Sequence, residues 1–200
     1  MKKIILVVSI LLAITLGAAV TLSLTGVADL ASAQDMVEIP FLDDWAGSGH
    51  NDAEAEAFVH WDEDDPAEVP EDCAKGHSTS GYQDYHGADG SAAGVVDAAV
   101  PVGETVTCTA CHNETMLDKT SVIMPSGAEL TDLGDEAKCM ECHQGRESGV
   151  SIQEMVDAAG VDADTVSEDL RFLNIHYYAA AASKYGTHAN GGYQYDGQTY

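Results

Sequence analysis

Five cysteines and the histidines that trail them carry most of the chemistry that this sequence can offer. Cys108-Thr-Ala-Cys111-His112 and Cys139-Met-Glu-Cys142-His143 share one register, and Cys73-Ala-Lys-Gly76-His77 keeps the first cysteine and the histidine with Gly76 in place of the second cysteine. Two thiols three residues apart can close on each other, bind zinc, or add to the two vinyl groups of a haem whose iron the next imidazole then takes. Histidine makes up 8 of 200 residues. Finding it by chance after both complete pairs therefore has a probability of roughly 0.0016. The spacing is the attachment signature of haem c, which predicts cofactor binding at Cys108, Cys111, Cys139 and Cys142, with His112 and His143 on iron.

Zinc is the competing chemistry of a different class. Two Cys-x-x-Cys knuckles supply four thiolates, but Cys108 and Cys139 are 31 residues apart, longer than the usual ribbon spacing, and both trailing histidines would be idle. In the incomplete motif, Cys73 can still form one thioether and His77 still falls on the iron side. The sequence thus predicts a third haem c with a single tether, against a degenerate segment with a free thiol. The odd cysteine count then calls for no disulfide partner.

Each iron wants a sixth ligand, and five histidines remain: His50, His60, His86, His176 and His188. Ser48 or Asn51 can cap a helix from Asp52 to His60 on which Ala53, Ala57 and His60 share a face, which turns His60 inward just after His50. Asn174 can cap a helix running to Gly186 with His176 in its first turn. Met116 and Met124 are the alternative axial donors, although gap-filling is the commoner use of methionine. The residues by themselves leave the pairing of ligands with haems open. Histidine on both sides of an iron closes both axial positions, which suits an electron carrier better than a haem enzyme.

The segments SGHNDAEAEAFVHWDED, CAKGHSTSGYQDY, GADGSAAGVVD, VTCTACHNE, LGDEAKCMECHQGRES and LNIHYYAAAASKYG together resemble the exported multihaem c-type cytochromes, from about Trp45 to Tyr200. The resemblance implies electron transfer through adjacent haems, each iron held by two histidines. It places distal ligands at His50, His60 and His176 but none at His86, and it implies that Gly76 replaces an attachment cysteine. A haem subunit of a respiratory oxidoreductase and a subunit of an extracellular conducting filament are the neighbouring functional readings.

The rest of the chain has to position these groups. Lys2 and Lys3 precede an uncharged run, and Ala-Ser-Ala-Gln ends in a small-residue cleavage site, so residues 1–33 read as a secretory signal peptide or, if retained, a membrane anchor. Residues 34–200 form the cytochrome domain, periplasmic, extracellular or at the cell surface. Its turn-rich, aromatic end at Tyr200 reads like the middle of a domain. The net charge of −26 excludes a nucleic-acid partner and favours redox proteins with basic docking surfaces. The acidic run from Trp61 to Asp72 reads as a solvated face. With only 6% aromatic residues and 19 glycines, the interior wants porphyrin as filling. The expected fold is mainly α with long irregular loops, a haem-cored domain with a small β-hairpin between Thr120–Met124 and Ala128–Leu130. Capping boxes at Ser151–Glu154 and Thr165–Glu168 open two further short helices.

Overall fold

Each cysteine motif lies on a helix that stops at the motif's histidine or one residue before it. The computed structural model describes residues 39–162, 164–176 and 179–200. The predicted signal peptide, residues 1–33, lies outside the described residues. Residues Asp43–Tyr200 form one unit, and the first helix begins one residue before it, at Leu42.

In chain order the described elements are short: α1 Leu42–Ala46, α2 Glu56–Val59, β1 Glu68–Val69, α3 Glu71–His77, α4 Thr79–Tyr85, β2 Val100–Pro101, α5 Cys108–Cys111, β3 Val122–Ile123, β4 Glu129–Leu130, α6 Glu136–His143, α7 Gly149–Ala159 and α8 Ala180–Tyr185. Glu71 and Asp72 in the first turn of α3, and Lys75 and His77 in its last, complement the helix dipole. Ser78 then breaks the helix by going extended, and its hydroxyl caps α4 by accepting from the Gly81 N–H. That tight corner needs glycine at 81, because a Cβ there would stand 2.4 Å from the Ala74 carbonyl oxygen. The hairpin β3–β4 pairs Val122 with Leu130 and Ile123 with Glu129, within the segments that predict it. β1 pairs with β2 across thirty residues that include α3 and α4.

Four expected helices depart from the sequence reading. The one before His60 is a single turn, because Ser48 and Asn51 turn their side chains back onto the Trp45 and Ala46 carbonyls instead of capping. His60 is consequently its C-cap and exposed, not inward. The helix after Asn174 begins only at Ala180. His176 adopts a φ of 104°, which no helix accommodates, and Asn174 Oδ1 takes the His176 N–H in a local turn instead. The N-cap of α7 lies three residues before the expected Ser151, at Ser148, and Ser151 closes the box. The segment at Thr165–Glu168 is irregular, with Ser167 accepting from the Asp169 N–H.

Apolar burial is divided among three small clusters, and each touches a cysteine motif. Val69, Ala74, Val96 and Val100 gather beside Cys73. Tyr82, Ala110 and Met116 gather beside Cys111 and Cys142. Val122, Met124, Ala181 and Ala189 gather beside Met140. Both candidate axial methionines, Met116 and Met124, are core residues. The acidic run is a solvated face, exposed throughout residues 62–68.

Candidate functional site

His77 closes α3 half-buried, and its Nδ1 lies 2.7 Å from the Ala57 carbonyl oxygen. A carbonyl only accepts, so Nδ1 carries the proton and Nε2 keeps its lone pair, the arrangement typical of a metal-ligating imidazole. Trp61 stands edge-on to this ring at 5.2 Å. On another side the His176 ring lies at 5.7 Å and 85°. Burial lowers the pKa of both imidazoles, so both are neutral donors at neutral pH.

Two features hold His176 there. The Arg146 N–H donates to the Ile175 carbonyl at 3.0 Å. Gly145 permits the approach, because a Cβ on it would come within 2.5 Å of that same oxygen. A left-handed backbone at a non-glycine residue costs on the order of 1–3 kcal/mol and persists where its surroundings over-determine it. Gly145 escaped the sequence reading; its place just past the last turn of a motif helix was the available signal.

The second pair is His50 and His143, with ring centroids 6.2 Å apart at 70°. His143 ends α6. His50 sits in a loop fastened at both sides, by the Trp45 indole N–H to the Val106 carbonyl at 2.9 Å and by the Val106 N–H to the His50 carbonyl at 3.0 Å. Two imidazoles on opposite sides of one iron need about 6 Å between ring centres, from metal–nitrogen bonds of about 2 Å and about 1 Å more to each centre. Both pairs lie near that spacing.

His112 is exposed just past the end of α5. His60 is exposed, bonded through Nδ1 to Glu56 at 2.8 Å and stacked edge-on to Trp61. His188 is exposed in the turn after α8. His86 is enclosed by Tyr82 at 4.6 Å and Tyr85 at 5.1 Å.

The motifs neighbour one another. Cys111 and Cys142 pack on the same Tyr82 cluster, and Tyr82 donates its hydroxyl proton to the Lys138 carbonyl on α6 at 3.0 Å. Glu141, inside the third motif and 6% exposed, takes Lys75 of the first motif at 2.6 Å and Lys119 at 2.5 Å. The Cys142 thiol points at the Lys75 carbonyl at 3.6 Å. Desolvation pushes the Glu141 carboxyl upward, and the two ammonium groups outweigh it, so its pKa falls below the usual range. All five thiols are unpaired. Burial raises those of Cys73 and Cys111 and pushes Cys142 up to about 12, which keeps them protonated at neutral pH. Among the described residues no three His, Cys, Asp or Glu side chains converge on one metal position, so the four knuckle thiols are not gathered as zinc ligands.

His86 Nε2 lies 3.8 Å from Glu141, which would be an ion pair only with a protonated ring. Burial dominates and holds its pKa near 4, and two lysines already neutralise the carboxylate, so the ring is neutral. Below the ordinary value of 6.5 the unfolded chain binds this proton and the folded one does not. Stability from His86 is therefore complete above pH 6.5 and is lost as pH falls towards 4, by at most about 3 kcal/mol. Urea midpoints of the wild type and His86→Phe, measured from pH 7 to 4, should converge as the wild type weakens; parallel curves would refute the assignment.

A stretch of 69 residues is 36% identical to C-type polyheme cytochrome OmcB from two strains of Geobacter sulfurreducens. It is 34% of this chain and 8% of that protein, so the chain spans a small part of the curated relatives that it matches. Over a third of its length, then, the chain is similar to a polyheme c-type cytochrome. No family model matches the chain, and no solved structure matches it.

Proposed function

We propose that this chain is an exported multihaem c-type cytochrome that passes electrons between redox partners through three neighbouring haems. Haem c is joined at Cys108 and Cys111, at Cys139 and Cys142, and through one thioether at Cys73, with His112, His143 and His77 on the irons. His50 is the sixth ligand opposite His143, and His176 is the sixth ligand opposite His77. The observation that carries this reading is the pair of facing imidazoles at 6.2 Å and 5.7 Å, each joining a motif histidine to one distant in sequence. The bound group supplies reversible one-electron exchange at iron. The chain supplies its covalent anchors, imidazoles whose Nδ1 or backbone is fixed, and packed contacts that keep the three motifs adjacent. The similarity to a polyheme cytochrome supports the same chemistry. The charge of −26 suits partners with basic docking surfaces, drawn in by long-range attraction that salt weakens.

Intact mass under denaturing conditions, after maturation by a c-type haem attachment system, tests the reading. Three covalent haems per chain are expected. A mass without haem would overturn the function, and two haems would remove Cys73 and His77 from it.

A further inference from the structure

Residues 193–200 and the start of α7 together line a cavity of about 520 Å³, within the size range of small-molecule sites. No cysteine or histidine lines it, so it lies apart from the haem-attachment residues. Close packing fixes its base. The Gly149 N–H donates to the Asn190 carbonyl at 2.9 Å, and a Cβ at 149 would stand 2.4 Å from the Gly192 carbonyl oxygen, so glycine is what lets the two segments meet. Helix α7 turns Val150, Gln153 and Glu154 to the cavity, at i, i+3 and i+4 on one face. Tyr193, Tyr195 and Tyr200 supply the aromatic lining. The Tyr200 hydroxyl accepts from the Tyr195 N–H at 2.9 Å, and the Thr187 hydroxyl donates to the Tyr200 carbonyl at 3.1 Å. These bonds brace the loop that carries the rings. The Tyr193 and Tyr195 rings meet edge-on, with centroids 5.1 Å apart and planes at 85°, so they form two perpendicular aromatic walls.

The chemistry of the lining selects a ligand class. Two carboxylates, Glu154 and Asp196, join the three tyrosines, and no lysine, arginine or histidine does. The end of α7 offers little to an anion, because the Val150 N–H is capped by the Ser148 hydroxyl at 3.2 Å and the Gly149 N–H is taken by Asn190. The face of a phenol ring is negative and attracts a cation, and the chain's overall −26 adds to that attraction. A compact ammonium is strongly hydrated and gives up its water reluctantly. A methylated ammonium carries the same charge under an apolar surface, which suits ring faces and carboxylates together. We propose that this cavity is an aromatic cage for a methylated ammonium group such as the head of choline, a ligand site separate from the electron-transfer chemistry.

Calorimetric titration of the haem-loaded full chain with choline, and with its uncharged isostere 3,3-dimethyl-1-butanol, tests the cage. Choline should fill one saturable site and bind at least about tenfold more tightly than the alcohol, a gap that narrows as salt is raised. Tyr193→Ala should weaken choline about tenfold, whereas Tyr193→Phe keeps the ring face and should change its affinity less than about threefold. Glu154→Gln combined with Asp196→Asn alters two exposed side chains, which spares the fold, and should weaken choline about fivefold while leaving the alcohol unchanged. Sedimentation with phosphatidylcholine vesicles, against phosphatidylglycerol vesicles, identifies the source of the group. Choline binding without vesicle capture supports a free solute, and capture by phosphatidylcholine alone supports a lipid headgroup on the same cage. Equal affinity for choline and the alcohol would overturn the cage, as would no saturable binding of choline, or saturation by a neutral hexose or by benzoate in its place. The covalent haem count is read separately by mass, so failure of the cage and failure of the haem reading are told apart.

Discussion

Glu141→Ala should lower the stability of the haem-loaded protein by about 3–5 kcal/mol, the usual cost of removing one partner from a buried ion pair. Glu141 is 6% exposed, and it neutralises Lys75 and Lys119, which are 19% and 20% exposed. Without the carboxylate, two ammonium groups from separate segments are left facing one another in a low-dielectric pocket. The damage is not confined to charge, because the Lys75–Glu141 contact and the Cys142 thiol on the Lys75 carbonyl link the first motif helix to the third. Chemical denaturation with a spectroscopic haem readout measures the loss. A second variant separates a lost link from an uncompensated charge: Glu141→Met with Lys75→Met and Lys119→Met should recover at least half of it, since well-packed apolar residues often replace a buried ion pair or triad at little cost. A drop below about 1 kcal/mol for Glu141→Ala would show that water reaches the cluster and that the pair behaves like a surface one.

The buried charge network marks the boundary between what the sequence makes legible and what it does not. The cysteine motifs were legible because each is local: its cysteines and histidine lie within five positions. The hairpin around Pro125-Ser-Gly127 was legible for the same reason, with turn residues between two short apolar runs. Which imidazoles lie together was not, because His50 reaches His143, and His77 reaches His176, through contacts between segments far apart in the chain. His176 illustrates the cause. Its sequence context is helix-forming, yet a close approach allowed by Gly145 and an Asn174 side-chain bond set a left-handed backbone that ends any helix there. Tertiary contact overrode local propensity. The buried charge cluster did leave a trace. Lys75, Ala110 and Glu141 occupy the same position in the three motifs, the residue two before the histidine, and all three turn inward. Opposite charges at equivalent inward positions of the first and third motifs are a signal that these helices meet.

The largest functional effect should come from the thiol that has no partner in its motif. Cys73→Ser should reduce the covalent haem count by one under denaturing conditions, because nothing else in Cys-Ala-Lys-Gly-His can form a thioether. Gly76→Cys should leave the count unchanged while adding a second bond to the same haem. The structure leaves room for it: a Cβ at Gly76 meets no atom within 4 Å, although the surrounding helix is formed. Substitution of a glycine inside a helix also relieves a few tenths of a kcal/mol of backbone entropy cost, so the variant should fold at least as well. Each thioether takes one vinyl group out of conjugation with the porphyrin, so the ferrous absorption band of this one haem should move to shorter wavelength in Gly76→Cys and align with the other two. Cys73→Ser combined with Gly76→Cys moves the single tether to the other vinyl, and should restore attachment in part if the pocket, rather than the sequence pattern alone, presents the haem edge to residue 76. Loss of haem in Cys73→Ser with no rescue by that double variant would assign anchoring to Cys73 alone. An unchanged count in Cys73→Ser would mean that the thiol at 73 anchors nothing, and His77 with its Ala57 bond and His176 partner would then be a packed histidine pair without a tethered iron.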